Sequence, residues 1–137
     1  MYKRQTIPVV PLSLQADLDP AQHLAAGRAL APLRDEGILI VGSGMSYHNM
    51  RGYRTPAAVA ASATFDAWLT QAVESDPDVR AEALIHWAEA PAARAAHPRE
   101  EHLLPLMVAA GAGYDATGAR PFTDTVMMAD ISAFRFG

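Results

Sequence analysis

Histidines are the residues in this chain best suited to chemistry, and three of them stand in suggestive places. His48 follows the apolar run Ile38-Leu39-Ile40-Val41 and the loop Gly42-Ser43-Gly44-Met45-Ser46-Tyr47. If the run is a strand, an imidazole at its carboxyl end sits where α/β sheets hold ligands. With a pKa near neutrality it could take and return a proton, and Asn49 could orient a neighbour. The plainer reading of His48 is a histidine on a surface loop. His97 and His102 frame the stretch His97-Pro98-Arg99-Glu100-Glu101-His102-Leu103-Leu104-Pro105. Five residues apart, they would lie roughly 140° apart around a helix, so they are not the i,i+4 pair that binds metal from one helical face.

The same stretch constrains its own backbone. His97 precedes a proline and is biased away from helical geometry, which places it at a helix entrance. Glu100 and Glu101 read as solvated charges at the positive end of that helix. Pro105 cannot donate to the carbonyl of Glu101, so the chain kinks or restarts there. Such a kink either aims His102 into a cavity or leaves an amphipathic start with one solvated and one half-buried histidine. His23 and His86 fall within helical patterns and read as surface or boundary residues. Arg51 and Arg54 either hold a carboxylate or phenolate, or are solvated loop arginines.

Several site types are excluded. The Gly42–Tyr47 loop is not a dinucleotide fingerprint, because Tyr47 replaces the third glycine, and no Lys-Ser/Thr pair follows to make a phosphate loop. Neither Ser43 nor Ser46 is framed as a nucleophile elbow. The plain reading of the loop is a tight turn needing glycine at positive φ. The absence of cysteine removes thiolate metal sites, Fe–S clusters and disulfides. A net charge of −4 leaves no basic excess for nucleic acid. No apolar stretch reaches the ~18 residues of a membrane span, and the start is no secretory signal, so a cytoplasmic protein is expected with no membrane partner.

The elements that must position these histidines can be read from patterning. In 137 residues, half of them hydrophobic, one core can form. Thr6 to Leu14 and Ile38 to Val41 read as buried strands flanking a helix that Asp19-Pro20 opens and Gly37 closes. That is a βαβ unit with parallel strands. Thr55-Pro56 and Asp76-Pro77 open two more helices, with Phe65, Trp68 and Trp87 at core spacing. Leu106 to Ala112 is apolar, and Phe122 to Phe136 reads as a closing strand. The fold class is α/β, a partial mixed or mostly parallel sheet flanked by helices. Two strands leave two open edges, which suggests the second half of a larger single α/β domain.

The segments Val9 to Leu14, Leu33 to Gly44, His48-Asn49-Met50-Arg51 and His97 to Leu106 together resemble the second half of the class III extradiol ring-cleavage dioxygenases. Their likeness is to the DOPA-dioxygenase-like branch, related to the catalytic B subunit of protocatechuate ring-cleavage enzymes. The resemblance runs over residues 6–137, with 1–5 as a non-family leader or truncation junction. It implies an enzyme that opens catechols beside the diol with O₂ at a non-haem metal, Fe(II) or alternatively zinc. It implies His48 as acid/base or metal ligand, His102 as metal ligand, and His97, Asn49 and Ser43 as pocket positions. The family's two other metal histidines, in His-Gly and Ala-His contexts, have no counterpart here. The resemblance therefore implies weak activity for this chain alone, and pairing with a missing N-terminal half or a homo-oligomer. The other readings are a non-catalytic α/β binding module using an open sheet edge, and a phosphate-binding domain resting on the Gly42–Gly44 loop.

Overall fold

The computed structural model describes residues 7–137; the leader expected at 1–5 lies outside the described residues. Helix α1 (Pro20–Leu30) starts as its sequence dictates, with Pro20 in the first turn and the Asp19 carboxylate accepting from the Gln22 N–H at 3.0 Å. It does not run on to Gly37. Pro32 cannot supply the next helical hydrogen bond, so the chain restarts as the single turn α2 (Pro32–Asp35). Gly37, at φ +79°, then ends it.

Helix α3 (Pro56–Glu74) is capped by the Thr55 hydroxyl and buries Phe65, Leu69 and Val73. Helix α4 (Pro77–Ile85), a 3₁₀ turn (Trp87–Glu89) and the short α5 (Ala93–Ala96) follow. Helix α6 (Leu104–Ala112) has Pro105 in its first turn. Pro105 therefore opens a helix and does not kink one. Residues 98–103 are bends and turns, so His102, Glu100 and Glu101 lie before the helix and not in its first turns. Among the described residues no helix is long and apolar enough to cross a membrane.

Strands β1 (Gly118–Val126) and β2 (Ala129–Phe136) form an antiparallel hairpin, so the closing strand read over Phe122 to Phe136 is a pair. Its tip, Met127-Met128, holds both residues at positive φ, +50° and +68°. That geometry matches the twist of the flanking strands but favours Asn-Gly over methionine. Met127→Asn with Met128→Gly is expected to raise stability by about 1 kcal/mol, seen as a higher urea midpoint at unchanged slope.

The α/β class holds, but the pairing differs from expectation. Among the described residues the only sheet is this hairpin. Residues 7–14 and 38–44 form neither helix nor strand, and Val10 and Leu39 are 89% and 84% exposed. A β-branched apolar run is a local feature, whereas a ladder needs a second edge alongside. Residues 38–44 lie instead across the start of α6. A Cβ on Gly42 would overlap the Pro105 carbonyl, and one on Gly44 the His102 carbonyl. Neither glycine has positive φ, so their role is close approach and not a left-handed turn.

The core gathers Phe65, Leu69, Leu84, Trp87, Leu103, Leu104 and Met107 between α3, α4, α6 and the hairpin. Helix α1 packs on α6 through Gly27 and Gly111, each against the other helix's carbonyl. His23 belongs to this core and is not a surface residue. Its Nδ1 lies 2.6 Å from the Asp19 carbonyl, and its Nε2 accepts the Gln15 N–H at 3.2 Å, which ties the incoming chain to α1. His86 is exposed beside Glu82 and Glu89, as its pattern implied.

Candidate functional site

The loop after residues 38–44 is fastened at almost every residue. The Met45 N–H donates to the His102 carbonyl at 2.9 Å, and the His48 N–H to the Ala96 carbonyl at 3.0 Å. The Ser46 hydroxyl accepts the Ser132 N–H at 2.8 Å, while the Ser46 carbonyl lies 3.0 Å from His97 Nε2. Tyr47 is buried, and the Tyr53 hydroxyl donates to its carbonyl at 2.8 Å. Asn49 donates to the Ala95 carbonyl at 2.8 Å and accepts from the N–H groups of Arg51 and Gly52. These bonds join the loop to the α5–α6 connection on one side and to β2 on the other.

Such anchoring brings two distant histidines face to face. The rings of His48 and His102 stack with centroids 3.4 Å apart and planes 16° from parallel. Burial lowers the pKa of His48 below its ordinary value, and the neighbouring His102 lowers it further, against a smaller opposing effect of Glu101. Two imidazoles this close cannot both carry charge cheaply, so His48 stays neutral at neutral pH. Among the described residues the buried His102 Nδ1 has no hydrogen-bond partner, and a Glu101 carboxylate oxygen stands 3.8 Å from it. Glu101 also stands 3.4 Å from Arg99, and Glu100 pairs with Arg94 at 2.9 Å, so neither glutamate is the free solvated charge expected.

The other named positions do different work. His97 is wholly buried, edge-on to Phe65 and Trp87 at 5.3 and 6.0 Å. Burial pushes its pKa down to about 4. It therefore holds the Ser46 loop from inside the core. Asn49 turns its side chain to backbone groups, and Ser43 is exposed. Arg51 and Arg54 are exposed. Two contributors escaped the sequence reading. Ser46 joins loop, β2 and His97, and Glu101 approaches His102; only its place beside His102 in the chain could have signalled it.

Because His97 is neutral when folded and binds a proton near pH 6.5 when unfolded, the unfolded chain takes up more protons as pH falls. Its contribution to stability is present above pH 6.5 and lost progressively down to about pH 4. Urea unfolding should show a loss of about 2 kcal/mol between pH 7 and pH 5. His97→Asn should flatten that dependence.

Imidazoles beside a carboxylate suit a non-haem metal in kind, but not in number. Among the described residues no three His, Asp or Glu side chains lie where they could hold one ion. Two nearly parallel rings 3.4 Å apart keep their in-plane lone pairs in separate planes and not on one common centre. The described residues do not by themselves form a metal site.

Comparison with known proteins identifies the family. The family model for the catalytic LigB subunit of aromatic ring-opening dioxygenase matches residues 1–134. The dioxygenase tasH of Hapsidospora irregularis is 37% identical over 146 aligned positions, covering 96% of this chain and 44% of that protein. The 4,5-DOPA dioxygenase extradiol of Beta vulgaris is 42% identical, covering 82% of this chain and 42% of its own. The crystal structure of an uncharacterized Escherichia coli K12 protein superposes with a TM-score of 0.68 at 28% identity, over 86% of this chain and 50% of that one. The chain thus spans less than half the length of these curated relatives. It belongs to the family of the catalytic LigB subunit of aromatic ring-opening dioxygenases.

Proposed function

We propose that this chain is the portion of a ring-opening dioxygenase that supplies His48 and His102 to the reaction, and that the substrate is a catechol-type molecule opened beside its diol with O₂. The observation that supports this reading best is the stacking of the two rings at 3.4 Å from segments far apart in sequence. Their loop backbones are fastened while the His102 ring remains partly open to solvent. In this reading His48, neutral at working pH, takes the proton of a phenolic hydroxyl and returns it to product. Glu101 favours a proton arriving on His48. The reading includes a non-haem metal, Fe(II) or alternatively zinc, whose further ligands lie outside the described residues.

The test is oxygen uptake. This chain is combined with the part of the Escherichia coli 4,5-DOPA dioxygenase extradiol that it does not match, in the presence of Fe(II) or zinc. Uptake is expected with catechol and not with resorcinol, which lacks adjacent hydroxyls. Equal uptake with both, or none with either, would overturn the reading.

A further inference from the structure

A groove of 550 Å³ separates residues 38–44 from β2, floored by Leu103, Leu106 and Ala109. Both walls are open chain edges. The N–H groups of Leu39 to Gly44 donate to no backbone acceptor among the described residues. On β2, the Asp130 and Ser132 N–H groups go to the hydroxyls of Ser62 and Ser46, and the Phe136 carbonyl accepts from Arg34. Residues of that parity face away from β1, so the N–H and C=O of Phe134 point into the groove.

The walls are also held apart. Ser46 meets Ser132 at one end, and at the other Arg34 bridges the carbonyls of Ala112 and Phe136. Residues 38–44 run toward the Ser132 end and β2 runs away from it, so the two are antiparallel. At standard spacings a strand covered by helices fills roughly 160 Å³ per residue, so the groove encloses about 3–4 residues of one strand.

We propose that this groove receives a single apolar, proline-free β-strand from the part of the ring-opening dioxygenase domain that this chain does not span. The strand lies parallel to 38–44 and antiparallel to β2. Its carboxyl end then arrives beside His48 and His102, where α/β sheets place their ligands. The inference rests on the family reading, because the chain covers only 42% to 46% of the 4,5-DOPA dioxygenase relatives from Beta vulgaris and Mirabilis jalapa, leaving over half their length to supply the strand. The exposed segment 7–14 of a second copy is a poor occupant. Pro8 and Pro11 have opposite parity, so each edge of such a strand would lack a donor.

The probe is the unmatched part of the Escherichia coli 4,5-DOPA dioxygenase extradiol, mixed with this chain and followed by amide hydrogen exchange. A one-to-one complex is expected, with exchange at Phe134 and at alternate amides of 39–44 slowed by about 100-fold or more. Ile40→Pro and Val41→Pro remove donors from opposite edges of an exposed segment, so the helical fold should survive both by circular dichroism. One of them should weaken binding by about 10-fold or more and the other by less than about 3-fold. The proposal is overturned by no complex, by a complex without this protection, by equal effects of the two prolines, or by a dimer of this chain alone that protects the same amides. Oxygen uptake is not part of this readout. A protected but inactive complex therefore overturns the activity reading alone.

Discussion

Arg80→Ala should lower stability by about 3–5 kcal/mol, the largest loss expected from any single substitution in this chain. Arg80 is 1% exposed, yet among the described residues no carboxylate pairs with it. Its guanidinium donates to the carbonyls of Val73, Tyr114 and Ala116 at 3.3, 2.5 and 3.1 Å, with the Gly113 carbonyl at 3.5 Å, and it lies over the Phe136 ring. These carbonyls end α3 and line the turn between α6 and β1, so one side chain holds helix ends that would otherwise be buried without donors. Burial lowers its pKa, but a guanidinium remains charged at any working pH. Truncation removes donors from several carbonyls at once and opens a cavity in the same place. Arg80→Lys should recover only part of the loss, because a single ammonium cannot match the planar fork. Urea midpoints measure all of this. An Arg80→Met chain within about 1 kcal/mol of the parent would show that water replaces the guanidinium, contrary to this account.

The second large effect concerns the histidine pair in the combined protein described above. His48→Ala and His102→Ala should each cut catechol-dependent oxygen uptake by about 100-fold or more, and the double substitution should cost little beyond either alone, as groups acting as a unit do. Ser43→Ala should leave uptake unchanged, because that side chain is exposed to solvent. The pH profile carries an independent sign. A base acts only when unprotonated, and the pKa of His48 is lowered. Activity should therefore be retained above the ordinary histidine range and fall as pH drops through a midpoint below 6.5. A midpoint above 6.5, or unchanged uptake in either alanine variant, would remove His48 from the role given to it.

Local chemistry wrote much of this molecule plainly into its sequence. Asp19-Pro20, Thr55-Pro56 and Asp76-Pro77 start helices because proline at the first helical position needs no donor, and the residue before it is already extended. Phe65 and Leu69 fall on the buried face of α3 because a 3.6-residue period selects it. The motif order around His48 and His97 to Leu106 carried the family. Pro105 shows the limit of such reading: its missing donor is compatible with a kink or with a first turn, and the following apolar residues settle it by packing as α6.

What only the tertiary structure decided depends on groups far apart in the chain. Residues 38–41 are apolar in either setting, and whether they pair depends on an edge that sequence does not locate. Gly42 and Gly44 are there because carbonyls of 102 and 105 press against them, not because of a local turn. Arg80 is buried because the carbonyls of 73, 114 and 116 converge on it from separate elements. The stacking of His48 on His102 arises the same way, from hydrogen bonds joining 45 to 102, 46 to 97 and 48 to 96. Spacing along a chain reports helical and strand periods, whereas contacts of this kind are set by how whole elements pack.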